Sequence, residues 1–272
     1  EALGLPPWIG GVVLAVVAAF IFLGGVTRIA SVTEKLVPVM ACFYLVGGLV
    51  MLIANITNLP HAFALIFEGA FNPQAILGGA VGIGVREAMR YGVARGLFSN
   101  EAGMGSTPHA HAMAKVKHPE EQGVIAMMGV FIDTFVVLTL TALVILSSGL
   151  LQPLAEGGLT ATKLAQAAFS QAFGSFGNPF VAICMLFFAF STIIGWYFFG
   201  KTNVNALFHG SKAANIVYAL IALAFIVVGS IQKVSLVWDM SDMFNGLMVI
   251  PNLLALLVLS GQVAKIARAD HL

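Results

Sequence analysis

The chain has 272 residues, 59% of them hydrophobic and 9% charged, with a mean hydropathy of +0.96 and a net charge of +1. An ordinary soluble domain carries about a quarter charged residues, so this composition argues against a water-soluble fold. The near-neutral balance and the lack of a basic cluster argue against nucleic acid as a partner. Cys42 and Cys184 lie in apolar runs with no CxxC or Cys/His spacing, which leaves no disulfide framework or zinc site and makes them small hydrophobes.

The sequence begins at Glu1 rather than Met, and no basic stretch precedes its first apolar run, so that run is not a signal peptide. A fragment with earlier membrane segments missing is the expectation. About 20 mostly apolar residues cross a bilayer core. On that measure the expected spans run from Trp8 to Thr27, Leu36 to Ile56, Val124 to Leu150, Phe180 to Gly200 and Ala214 to Ile231. Two further spans are less regular. One runs from about Leu77 to Ala114 and is broken; the other runs from Leu236 to Ser260 and is interrupted by Pro251. The stretch from Ala161 to Phe173 is expected to form a short helix at the outer interface. With no internal repeat and no linker, residues 1–272 read as a single transmembrane domain.

Basic residues orient these spans. Arg28, Lys35, Lys115, Lys117, Lys201, Lys212, Lys265 and Arg268 fall on one side, while only Lys163 and Lys233 fall on the other. By the positive-inside rule the first side is cytoplasmic, with the N-terminal end outside and the C-terminal end inside. The broken span then runs inward from outside.

Residues 95–106 of that span read RGLFSNEAGMGS. Gly96, Gly103 and Gly105 around Ser99, Asn100 and Glu101 suit an unwound segment better than a continuous helix. In hydrocarbon such a segment survives only where it is buried in protein or lines a wet cavity. Its freed carbonyls could meet a cation and its N–H groups a carboxylate, as broken helices do in secondary transporters. Glu101 is the sharpest residue, because an intramembrane carboxylate is costly and marks an ion or substrate path. The alternative is close packing: Ser99 and Gly103, like Ala102 and Ser106, keep the small-xxx-small spacing.

Other polar residues lie deeper in apolar runs. A helix starting at Pro119, with Glu120 and Glu121 in its first turn, carries Asp133 roughly 20 Å along its axis at 1.5 Å per residue. Asp133 is either a structural acid or a tuner of ion coupling. Ser191 and Thr192, taken alone, favour bonding back to the preceding turn's carbonyls. Trp196 and Phe98 could form an apolar wall that limits side-chain size. Trp8 and Trp238 read as interfacial anchors. Asp239 and Asp242 read as solvated or paired. His109 and His111 are two apart, and on a helix such residues diverge, which rejects a metal pair. The glycines of residues 78–84 do not keep the order of a dinucleotide fingerprint.

RGLFSNEAGMGS, followed by PHAHAMA, HPEEQG and GVFIDT, resembles the alanine or glycine:cation symporter family, also described as sodium:alanine symporters. The resemblance continues through FAFSTIIGWYFFGK (Phe188 to Lys201) and NGLMVIPNLLALL (Asn245 to Leu257). GGVTRIASVTEKLVPVMACFYLVGG (Gly24 to Gly48) extends it upstream, so it covers nearly the whole chain. It implies an all-α polytopic membrane protein with the LeuT-like inverted-repeat fold, of which this fragment covers core helices four to ten. The broken span would be the sixth.

The resemblance implies a sodium-coupled symporter of a small neutral amino acid, alanine or glycine, working by alternating access in a bacterial or archaeal cytoplasmic membrane. Phe98, Ser99, Asn100, Glu101, Gly103 and Trp196 are the expected substrate residues. Ser191 and Thr192 are the expected sodium ligands. No cofactor beyond the coupling ion is expected, and no catalytic residues. A proton-coupled carrier, a structural membrane subunit and an intramembrane enzyme built on Ser99, Glu101 and His109 remain as alternatives.

Overall fold

The computed structural model describes residues 6–71, 81–151 and 161–269, and every regular element in it is helical. In chain order these are α1 (Pro7–Leu23), α2 (Gly25–Ala54), α3 (Leu59–Phe71), α4 (Val81–Asn100), α5 (Pro108–His111), α6 (Pro119–Phe131), a π-helical segment (Ile132–Leu138), α7 (Thr139–Ser147), α8 (Ala161–Phe173), α9 (Gly177–Leu207), α10 (Lys212–Ser230) and α11 (Val234–Ala269). Pro7, Pro108 and Pro119 each stand in a helix's first turn, where a missing N–H costs nothing. Ser211 caps α10 by accepting from the Ala214 N–H at 3.4 Å.

Among the described residues, five stretches are long and apolar enough to cross a membrane: Gly25–Ala54, Pro119–Ser147, Thr162–Leu207, Lys212–Ser230 and Val234–Ile266. Pro7–Leu23 is a shorter apolar helix. This is a multi-pass membrane protein. Large apolar side chains face outward along its helices, and the residues of α10 are at most partly buried.

Two boundaries differ from the sequence reading. The loop expected around Arg28 and Lys35 is helical, because α2 starts at Gly25 and no Gly or Pro interrupts it before Pro38. Arg28 instead folds back onto α1, donating to the Phe20 carbonyl at 2.7 Å and covering the Phe20 ring. The interruption expected at Pro251 does not occur either: α11 runs through it for 36 residues. A proline removes one helical hydrogen bond, and membrane helices tolerate that loss. Residues 77–80 of the expected broken span lie outside the described residues.

The long helix α9 is the spine, packing on α8, α2, α10 and α1. Toward its start, Phe180, Val181 and Cys184 join Met51, Val144, Ala168 and Phe169 in one buried cluster. Toward its end, Ile194 and Tyr197 join Ala18, Ile21, Phe22 and Ile29 in another. Between helices in lipid no hydrophobic drive remains, so close van der Waals fit has to hold them. Gly47 supplies it: a Cβ there would stand 2.1 Å from Cζ of Phe180, so α2 meets α9 through bare backbone.

Candidate functional site

α4 stops at Asn100, and residues 101–107 form no regular helix before α5. Glu101 takes a φ of +55°, Gly103 +87° and Gly105 +84°. The left-handed region is open to glycine but costs other residues roughly 1–2 kcal/mol. Glu101 therefore holds a conformation that its surroundings must impose.

Those surroundings are polar and specific. Ser99 Oγ donates to Asp133 Oδ2 at 2.7 Å, and Asn100 Nδ2 donates to Thr134 Oγ1 at 3.2 Å. The same Asn100 accepts the Ala102 N–H at 2.9 Å on its Oδ1, so its amide is used at both ends. Buried Ser106 donates to Glu101 Oε2 at 2.5 Å. The end of α4 is thus bound to the π-helical segment that carries Asp133 and Thr134. Single π turns inside α-helices recur at functional sites, because they spoil the regular ladder and redirect side chains.

The other expected residues are distributed around this break. Phe98 stands edge-on to Trp238 of α11, with ring centroids 5.1 Å apart. Trp238 also lies under the Arg95 guanidinium at 4.1 Å, and Arg95 pairs with Asp242. Among the described residues, Arg95 Nη1 is buried without a partner. Trp196 is not the partner of Phe98. It stands edge-on to Phe199 and lines a cavity of about 730 Å³ between α1, α9 and α10, with Leu14, Ile193 and Phe225 among its neighbours.

Ser191 and Thr192 both donate to the Phe188 carbonyl, at 3.0 and 2.8 Å, and Ser191 Oγ lies 3.5 Å from Met40 Sδ. This is the back-bonded arrangement. No hydrogen bond joins either residue to the break among the described residues. The two histidines diverge: His109 reaches Asn203 of α9 at 3.2 Å, while His111 takes a 2.8 Å hydrogen bond from Gln122 of α6. Among the described residues no group of three or more His, Cys, Asp or Glu side chains could hold a metal ion.

Sequence reasoning missed Asn252, whose Nδ2 donates to the Gly103 carbonyl at 2.9 Å. Its signal was an amide following Pro251 inside an otherwise apolar run. Trp238 was read as an interfacial anchor, but its ring is engaged with Arg95 and Phe98.

An all-helical, multi-pass membrane protein with its polar side chains gathered at a helix break is the class defined by this arrangement. The chain belongs to the sodium:alanine symporter family, whose model matches residues 1–270. It is 44% identical over 250 residues to the probable sodium/glutamine symporter GlnT of Bacillus subtilis, covering 92% of this chain and 51% of that protein. It is 42% identical over 269 residues to the sodium/alanine symporter AgcS of Methanococcus maripaludis, covering 98% of this chain and 57% of that one. It is 36% identical over 272 residues to a sodium/proton-dependent alanine carrier protein of a Bacillus species, strain PS3, covering 95% and 60%. The chain thus spans little more than half the length of these relatives. The family is one of transporters, and the enzyme alternative falls with that membership.

Proposed function

We propose that this chain is part of a secondary active symporter that moves a small neutral amino acid, alanine or glycine, together with sodium across the cytoplasmic membrane of a bacterium or archaeon. Its single transmembrane domain would cross seven times, with its N-terminal end outside and its C-terminal end in the cytoplasm. The fold would be the LeuT-like inverted repeat, with this chain as core helices four to ten. The observation that carries the reading is the break after Asn100, tied by Ser99 and Asn100 to Asp133 and Thr134 in the neighbouring span.

In this reading Phe98, Ser99, Asn100, Glu101 and Gly103 face the substrate. The unwound backbone offers N–H groups to a carboxylate and carbonyls to a cation. Phe98, backed by Trp238, limits the side chain that fits. Trp196 would contribute from the far side of α9, and Ser191 and Thr192 would turn from Phe188 to give oxygens, which are hard ligands suited to sodium. Substrate and cation raise each other's affinity, a reciprocity that linkage requires.

Uptake into proteoliposomes holding the full-length protein tests this. Labelled alanine and glycine are offered under a sodium gradient, a pH gradient or neither, with glutamine added because one relative is named for it. Sodium-driven accumulation of alanine or glycine is the expected result. An alanine affinity that is the same with and without sodium would sink sodium coupling. Accumulation on the pH gradient alone would favour the second reading, proton coupling, which rests on the relative named as sodium/proton-dependent.

A further inference from the structure

The peptide unit joining Gly103 to Met104 is held at both ends. Its carbonyl accepts the 2.9 Å hydrogen bond from Asn252 Nδ2 on α11, and its N–H donates to the Glu101 carbonyl at 3.1 Å. Gly103 at φ +87° and Gly105 at φ +84° flank this unit closely. Glycine populates both halves of φ space at little cost, so the local chain does not choose which way the carbonyl points. Inside a membrane an unpartnered carbonyl is expensive, and the partner decides the orientation. Here that partner lies 149 residues away in sequence, on another helix.

Gly105 reinforces the dependence. A Cβ there would stand 3.0 Å from both Cβ and Cγ of Asn252, so the turn passes against the amide. Elsewhere, among the described residues, α11 packs extensively against no single other helix. It touches α4 again through Asp242 and Trp238, which engage Arg95 and Phe98. Asp242 and Asn252 are ten residues apart, about 15 Å of helix rise. The two attachments therefore lie on either side of Ser99 and Asn100.

We infer that Asn252 is a positioning residue: it fixes the Gly103–Met104 peptide in one orientation, and with it the shape that the broken segment offers to its ligand. The ligand half of this inference rests on the transport reading above. A displacement of α11 moves the Asn252 amide and releases the peptide to turn, which withdraws the Met104 N–H from Glu101.

The test uses the reconstituted full-length protein with Asn252→Ala and Asn252→Asp. Asparagine to aspartate keeps the shape and removes the donor. Hydrogen exchange resolved to the Met104 amide reads the peptide directly, and should rise about tenfold, the scale of one net hydrogen bond. Labelled-alanine uptake should show a raised half-saturation constant with a smaller change in maximal rate. Asn252→Gln, which keeps the amide but displaces it by one methylene, should raise Met104 exchange in the same direction and serves if either of the other Asn252 variants fails to fold. Unchanged Met104 exchange overturns the positioning role. Raised exchange with an unchanged half-saturation constant overturns its link to the ligand. If the unmodified protein takes up no amino acid, the transport reading fails, while the exchange measurement still decides the role of Asn252.

Discussion

Ser99 and Asp133, 34 residues apart, meet in a 2.7 Å hydrogen bond that ties the last turn of α4 to the π-helical segment of the next span. The serine hydroxyl and the carboxylate are both partly buried, and a charge-assisted hydrogen bond of this kind is among the stronger ones. Removing either partner strands the other. Ser99→Ala and Asp133→Ala, each of which removes its half of the hydrogen bond, should each raise the half-saturation constant for amino acid uptake. The double variant should lose less than the two losses combined, with a coupling energy of about 0.5–3 kcal/mol. Simple additivity in that cycle would mean the contact contributes nothing.

Glu101 separates the cost of a backbone conformation from the value of a side chain. Its φ of +55° suits glycine, so Glu101→Gly relieves about 1–2 kcal/mol of backbone strain, which offsets the similar cost of leaving the buried Ser106 hydroxyl without its acceptor, and the melting temperature of the detergent-solubilised protein should change little. The same substitution should abolish sodium-driven uptake, since the carboxylate held by Ser106 is gone. Glu101→Gln keeps size and hydrogen-bonding capacity, so a loss of uptake there at unchanged melting temperature assigns the role to charge.

Ser191 and Thr192 offer a test between two uses of a hydroxyl. Both return to the Phe188 carbonyl, and a bond of that kind slightly destabilises a helix. If they serve only there, Ser191→Ala and Thr192→Val leave the sodium dependence of uptake untouched. If they give oxygens to sodium, the half-saturation for sodium should rise by at least tenfold while expression and folding stay normal. The first outcome removes both residues from the proposed ion site.

The sequence made the membrane-crossing stretches legible because they are written in runs of about 20 apolar residues, and the break because glycine and short polar residues cluster from Ser99 to Ser106. Asp133 was legible as an isolated charge, but its partner was not, since nothing in a linear pattern pairs it with Ser99. Arg28 and Lys35 misled for a physical reason. Charge marks where a span leaves the hydrocarbon, not where a helix ends, and α2 simply starts before its apolar part. The direction Trp196 faces was not legible, because an aromatic type fits a wall anywhere and only the packing of α9 against α1 and α10 shows which cavity it lines.

Arg95 and Asp242 should behave as a pair whose stacking matters as much as its charge. Their side chains are 34% and 31% exposed, and the guanidinium lies against the Trp238 face as well as beside the carboxylate, so charge and stacking act together. The Trp238 face adds about 0.5–2 kcal/mol of cation–π attraction. Arg95→Lys, which keeps the charge but not the planar stack, should lower the melting temperature nearly as much as Arg95→Ala. Exchanging the charges, Arg95→Asp with Asp242→Arg, should recover only part of the loss. Full recovery would show that the indole contributes little.

The seven residues from Ile132 to Leu138 put a change of gear into one span. Each residue of a regular α-helix advances the helix face by about 100°. An extra residue taken up in a wider turn offsets everything upstream by that angle relative to everything downstream. The downstream half thus keeps Leu140, Leu143 and Val144 buried, while Asp133 and Thr134 are free to meet Ser99 and Asn100. A one-residue deletion in this stretch would give a more regular helix and a worse protein. It would swing the acid out of reach of the break, and a gain in local order would be read out as a loss of the connection between two spans.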